Sequence, residues 1–304
     1  MSRYPRLFEP LQVHGRKLIN RVIMGSMHTG LEEGQHHFDH SLRNMAAFYE
    51  ERARGGVGLI VTGGIAPNNA GRVAPLAAMM TTPSDAVRHR EVTEAVHQHR
   101  DADGNGPMIA MQILHAGRYG YHPWNVSPSK AKAPIGWFTP SPLSGRDIER
   151  TIDDFVRAAA LAEEAGYDGV EVMGSEGYLI NQFLARQVND RTDQWGGAFD
   201  NRMRLALRIV DGIRAVRTRP APPSNLDPSA WRVGSEQQRA ALLRLRLLCC
   251  RCSPTPPPHR TSRRVRRRRP TFSSSSGCRC STWWSRCFYP SLHRTALTDF
   301  YSSF

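Results

Sequence analysis

Residues 144–178 read SGRDIERTIDDFVRAAALAEEAGYDGVEVMGSEGY, and the fold turns on this stretch. Ser144 precedes Asp147 by three positions, a relative of the capping box that starts helices. Ile148, Ile152, Phe155, Val156, Ala159 and Ala162 then recur at helical spacing and make one apolar stripe. Gly166 ends that helix. Gly169 to Met173 is a short β-branched run, the signature of a buried strand. Small and polar residues follow at once, from Gly174 to Tyr178. A helix that leads directly into a buried strand is the repeating unit of a parallel α/β fold, because the crossover must return the chain to the same edge.

The same unit recurs on either side. Toward the N-terminus, Pro107 to Leu114 is a strand, and residues 84–100 form a helix for which Ser84 is a plausible N-cap. Val57 to Val61 is another buried strand, closed by Thr62, Gly63 and Gly64. Residues 41–54 place Leu42, Met45, Ala46, Phe48 and Tyr49 on one helical face and stop at Gly55-Gly56. Arg21 to Gly25 is a first short strand. Toward the C-terminus, residues 201–217 form a long helix, and residues 117–143 are a Pro-rich, aromatic loop. About four βα units in a row fit either a doubly wound sheet or a (β/α)8 barrel. The missing Gly-x-Gly-x-x-Gly after the first strand weakens the former and favours the barrel.

Beyond Arg217 the chain changes character. Residues 1–217 carry 22 Arg and 3 Lys against 24 acids, a net charge of +1. Residues 218–304 carry 16 Arg, no Lys and only Asp227, Glu236 and Asp299, a net charge of +13. The overall charge of +14 over 304 residues therefore belongs to the tail, and it says nothing of nucleic acid or membrane binding by the front segment. All six cysteines lie in the tail as well, at 249, 250, 252, 278, 280 and 287. The tail opens with breakers and contains biased tracts at 254–258, 263–269 and 273–276. It has no strand pattern with which to continue a barrel. The expectation is an α/β fold, an incomplete TIM barrel over 1–217, followed by a disordered, non-homologous tail over 218–304. A replaced reading frame near residue 217, leaving an impaired or non-catalytic fragment, would account for the switch; a half barrel completed by dimerisation and a basic-tailed nucleic-acid binder are the alternatives. The first ten residues lack the apolar core of a signal peptide, and no stretch approaches the ~20 apolar residues of a membrane helix. A soluble, cytoplasmic protein is expected.

In parallel α/β folds, function collects past the carboxyl ends of the strands. Four groups fall there: Gly25 to His28, Thr62 to Gly64, Gln112 with His115, and Gly174 to Tyr178. Small residues let backbone approach a flat ligand. Gln112 offers a donor and an acceptor, which suits an imide edge. Tyr178 offers a phenol proton.

These positions carry a resemblance. Tyr178-Leu-Ile-Asn-Gln-Phe-Leu184, the run from Asn189 through Arg191, Asp193 and Trp195 to Gly197, and Asn201-Arg202-x-Arg204 resemble the signature of the Old Yellow Enzyme family. So do Leu7-Phe8-x-Pro10-Leu11 with Asn20-Arg21, and Gln112-x-x-His115-Ala116-Gly117-Arg118. Met24 to Glu33 and Val172 to Tyr178 are most similar to its bacterial 2,4-dienoyl-CoA reductase branch. The resemblance spans residues 4 to about 217 and implies an FMN-dependent ene-reductase on a (β/α)8 barrel, with NAD(P)H as hydride source and an enone or enoyl thioester as substrate. It implies that Ser26, Met27 and Gly64 line the isoalloxazine and that Gln112 bonds its pyrimidine edge. Tyr178 would protonate the substrate carbon opposite the delivered hydride, and Asn189 would lie near the substrate. The iron–sulfur and FAD sites of the dienoyl branch have no counterpart in this chain.

Plainer readings stand beside these. His115 reads as structural. Arg191, Asp193, Trp195, Arg202 and Arg204 read as loop clamps and helix caps, since a carboxylate such as Asp193 commonly fixes an arginine by paired bonds. His28, His36 and His37 read as surface residues rather than metal ligands, and Gly63-Gly64 as a turn. The tail cysteines are spaced Cys-Cys-x-Cys, then Cys-x-Cys, then a lone Cys, unlike the repeated Cys-x2-Cys runs common in clusters and zinc sites, so no metal is expected. The Arg263–Arg269 block could meet phosphates, but nothing recognisable positions it, and nucleic acid is not expected as a partner.

Overall fold

The computed structural model describes residues 4–13, 16–32 and 42–217. Leu11–Val13 (β1) and Arg16–Leu18 (β2) pair antiparallel ahead of the main sheet. Ile23–Met24 (β3), Arg43–Arg54 (α1), Leu59–Ile65 (β4), Pro83–His97 (α2) and Met108–Ile113 (β5) follow. The long loop contains a short parallel pair, Val126–Ser127 (β6) and Ser141–Pro142 (β7). Gly145–Glu164 (α3), Gly169–Val172 (β8), Leu179–Leu184 (α4) and Phe199–Arg217 (α5) complete the described chain. The tail, with its cysteines and arginine block, lies outside the described residues, as do His36 and His37.

Capping decides where the helices start. The Ser144 hydroxyl accepts from the Asp147 N–H, and the Asp147 carboxylate accepts from the Ser144 N–H, so a full capping box opens α3. Helix α2 is capped by Thr82 rather than Ser84. Thr82 and Asp85 form the box, and Pro83 takes the first helical position, where its missing N–H is no loss.

The main sheet runs β3-β4-β5-β8, every pair parallel and every strand beside its predecessor in sequence. A doubly wound sheet reverses direction at a switch point. This one does not, so its winding is barrel-like, as the sequence favoured. Helix α1 packs on α2, α2 on α3 and α3 on α5. Together they cover one face of the sheet. Ile60, Ile65, Ile109, Met111 and Ile113 meet Met45, Tyr49, Val92, Phe155 and Ile209 in that layer. Alternation turns the intervening residues to the other face. Ile23, Leu59 and Met108 align there in one row, and Gly64, Gln112 and Glu171 in another. Ile23 is 56% exposed. Parallel sheets are normally covered on both faces; the described helices cover the face that carries Ile109.

An ion cluster locks the N-terminal ends of the strands. Asp168, just before β8, accepts from Arg16 (2.6 Å), Arg100 (2.6 Å), His97 (2.9 Å) and the Ile109 N–H (2.9 Å). Burial alone would raise this carboxyl. The His97 hydrogen bond and the Arg100 charge outweigh it and hold the group down at about 2.

Candidate active site

At the opposite, C-terminal end of the sheet the ladder between β4 and β5 is irregular. Val61 pairs with Ala110 and Gly64 with Gln112, so Thr62 and Gly63 together stand opposite one residue, a β-bulge. Two side chains make it possible. The Thr62 hydroxyl accepts from the Gln112 N–H at 3.1 Å, and the Tyr49 phenol of α1 accepts from the Gly63 N–H at 3.0 Å. Gly63 and Gly64 are therefore part of a strand that continues to Ile65, not the closing turn expected from the sequence. Burial, and after it the Glu32 charge, raises the Tyr49 phenol, which stays neutral.

Gln112 is buried on the open face. Its amide nitrogen donates to the Glu171 carboxylate at 3.2 Å and touches the Met173 sulfur at 3.6 Å. A Cβ on Gly64 would meet the Leu114 side chain at 2.6 Å, so glycine is needed there for packing alone. Leu114, Ala116 and Met173 form a small apolar cluster, and Tyr178 packs against it. Gly64 lies against Leu114 and Gln112 against Met173, and Tyr178 packs on the cluster to which both belong, so the three border one patch.

The turn from β8 into α4 sets Tyr178 in place. Glu176 has φ of 56° and Gly177 of 80°, two successive left-handed residues, and for a non-glycine residue this conformation is uncommon. Gly177 has a second reason to be glycine, because a Cβ would meet the Tyr119 ring at 2.5 Å. Gln182, one turn into α4, ties the neighbouring loops together. Its amide nitrogen donates to the Gly177 and Ala116 carbonyls, and its oxygen accepts from the Arg118 N–H. Burial pushes the Tyr178 phenol up, and Glu176, Tyr121 and Tyr119 add to the shift.

The loop after β3 comes to the same end of the sheet. Ser26 is half-buried and Met27 is 46% exposed. Behind them the buried Glu32 accepts from the Thr29 N–H (3.0 Å) and hydroxyl (2.8 Å), and its other oxygen lies 3.9 Å from His28 Nδ1. A Cβ on Gly63 would collide with this Glu32 carboxylate and with the Met27 carbonyl, so the two strand ends are in contact. Thr62 was named in the sequence only as part of the group that ends its strand, and Glu32, Tyr49 and Gln182 were given no site role there. A polar residue on the buried side of a short helix is the one signal that could have exposed Gln182.

Asn189 does not present its side chain to this patch. Its amide nitrogen donates to the Phe183 and Trp195 carbonyls, and its oxygen accepts from the Arg191 N–H. The residue is a strut inside its loop. Arg191 pairs with Asp193 through two bonds and reaches the Pro128 and Leu143 carbonyls. Arg202 donates to the Leu184 and Gly197 carbonyls and Arg204 to that of Gln194, so these arginines are clamps. His115 accepts from the Gly117 N–H and stacks on Phe155 of α3 at 6.4 Å. Burial pushes its imidazole down to about 3, and it stays neutral.

The chemistry of this patch suits a flat, polar-edged ring. It combines an amide, exposed backbone and glycine at a strand end. Among the described residues, no three His, Cys, Asp or Glu side chains group as metal ligands would.

Residues 6–220 match the NADH:flavin oxidoreductase / NADH oxidase family, and the chain belongs to that family. The Old Yellow Enzyme motifs pointed to the same place. A metal reductase of Desulforamulus reducens is 36% identical over 216 residues, which cover 68% of this chain and 30% of the relative. An NADPH dehydrogenase of Bacillus subtilis is 32% identical over 213 residues, 69% of this chain and 60% of the relative. Among solved structures, morphinone reductase in complex with tetrahydroNAD superposes with a TM-score of 0.63 at 31% identity, covering 70% of this chain and 61% of that one. The chain thus spans between 30% and 61% of the length of these relatives.

Proposed function

We propose that residues 1–217 are the N-terminal half of an FMN-binding (β/α)8 barrel and that their site serves the NAD(P)H-dependent reduction of an activated carbon–carbon double bond. The observation that carries this reading is the single patch bordered by Gly64, Gln112 and Tyr178. A bound flavin supplies the hydride chemistry. Gln112 holds the ring's polar edge through its amide, oriented by Glu171. Gly64 and the backbone at Ser26 and Met27 line the ring. Tyr178 is a neutral phenol at neutral pH and holds a proton at its Oη for the substrate carbon. Asn189 acts through the loop it braces.

The substrate class is an enone or enoyl thioester. The Met24–Glu33 and Val172–Tyr178 motifs favour the 2,4-dienoyl-CoA branch. Residues 218–304 are a separate, non-homologous segment. The end of the family match at residue 220 supports that boundary, which lies within a few residues of the charge switch.

The test is size-exclusion chromatography of the full chain with added FMN. Flavin absorbance should travel with the protein and be lost in Gln112→Leu. Protein that elutes folded but free of flavin overturns the reading.

A further inference from the structure

We propose that Tyr121 and Trp137 form an aromatic rim beside Tyr178 that selects substrates in which the activated double bond is conjugated to a planar aryl group. The proposal rests on the reading of Tyr178 as the residue facing the substrate, and it adds a specificity determinant to that site.

The loop between the single 3-10 turn Gly117–Tyr119 and β7 carries a run of large side chains that do not collapse into the core. Tyr121 is 38% exposed and Trp137 56%. Scattered exposed aromatics need no explanation, but these two are organised. Their rings meet edge to face at 6.4 Å with an interplanar angle of 80°. Tyr119, two residues before Tyr121, meets Tyr178 in the same way at 6.2 Å and 85°. The loop is also anchored. The Tyr121 N–H donates to the Val73 carbonyl at 2.8 Å, and Val73 packs on the Leu114, Ala116 and Met173 cluster that supports Tyr178. Arg118 bonds the Ala131 and Lys132 carbonyls, and the Gly136 N–H donates to the Ala133 carbonyl just before Trp137. The rim is therefore continuous with the patch at the strand ends and held there by backbone bonds.

Edge-to-face rings carry a preference that aliphatic walls lack. Aromatic contacts of this geometry stabilise beyond their buried area. A planar aryl group meeting two such rings should bind about tenfold more tightly than an alkyl chain of similar apolar area. The occupant that fits is an aryl-conjugated carbonyl compound, with its double bond at Tyr178 and its ring against Tyr121 and Trp137.

The test uses the full chain with FMN and two weakly electrophilic probes, trans-cinnamamide and trans-2-hexenamide, titrated by calorimetry. Wild type should favour cinnamamide about tenfold, and the ratio should fall toward one in Trp137→Leu and in Tyr121→Leu, with FMN uptake as the control for folding. A ratio near one in wild type, or a preference that survives both substitutions while FMN is retained, overturns the rim and leaves the flavin reading intact. Loss of self-association in Trp137→Leu with an unchanged ratio overturns it in favour of contact with a second copy. Failure of wild type to take up FMN overturns the flavin reading instead; the rim then stands only if the preference still depends on Trp137, and both fall if it does not.

Discussion

At the N-terminal ends of the strands, Asp168 gathers two guanidiniums, an imidazole and a backbone N–H around one carboxylate, and each of these groups is satisfied there. At the C-terminal ends, strand and loop bring together an amide, glycines and a phenol, with the Glu171 carboxylate accepting from Gln112. The first arrangement closes on itself. The second leaves Met27 and the residues around Tyr178 partly open, and it contains the left-handed Glu176. A barrel-like sheet thus divides its labour: the charge network that fixes the strands lies at one end, and the groups able to act on a ligand lie at the other. Mutations at the two ends should separate stability from chemistry.

The largest effect is expected at the open end. Tyr178→Phe removes one oxygen and keeps the ring that packs on the cluster of Leu114, Ala116 and Met173. On the proposed reading, transfer of the substrate proton should slow by about 10²–10⁴-fold, while reduction of the flavin by NAD(P)H stays within about a factor of two and Tm is unchanged. Stopped-flow measurement of the two half-reactions separates them. Equal loss in both would mean that Tyr178 shapes the site and donates nothing, and the contrast between the two ends would lose its functional half.

Much of this division was legible in the sequence, and the missing part has a common cause. The stripe of α3, its Ser144 cap and the parallel strands are local patterns, so a window of residues carries them. The β1–β2 hairpin is too short for alternation to register. The bulge at Thr62-Gly63 depends on Tyr49, which comes from a different element, and nothing near Gly63 announces it. Thr82 won the cap from Ser84 because Pro83 fits the first helical position, a contest that capping preferences alone do not decide. Asn189 was placed near a substrate because its motif is functional, yet its amide is committed to two carbonyls that only the folded loop brings together. Side chains whose partners are distant in sequence are where residue patterns fall silent.

The closed end should respond in stability. Asp168 is almost wholly buried, so Asp168→Asn leaves Arg16 and Arg100 without their counter-charge. Removing one partner of such a buried pair costs about 3–5 kcal/mol, and urea unfolding at neutral pH should register that loss. The acid dependence is specific. The folded carboxyl titrates at about 2, below its unfolded value of about 4. Its stabilisation is therefore complete above about 4 and disappears as pH falls toward 2, so the gap between wild type and variant should close over that window. His89 and His115, pushed down by burial to about 4 and about 3, weaken both proteins from about pH 6.5 downward and leave the difference untouched. A gap independent of pH would mean that packing, not charge, holds the strand ends.

The smallest effect sharpens the comparison from a third position. Thr82 caps α2, whose far end supplies His97 to the Asp168 cluster, while its own end lies on the side of the sheet where Ala66 bridges Met79. Thr82→Ala deletes one half of the capping box and leaves Pro83 and Asp85 in place, at a cost of about 1 kcal/mol. Ser84→Ala, in the first turn, should change stability by no more than a few tenths of that, since Ser84 makes no capping bond. Neither substitution touches the patch around Gln112 and Tyr178, so flavin affinity of the folded fraction should not move. If Thr82→Ala instead lowered flavin affinity at unchanged stability, α2 would have to transmit strain to the strand ends, and the separation of the two ends of the sheet would be incomplete.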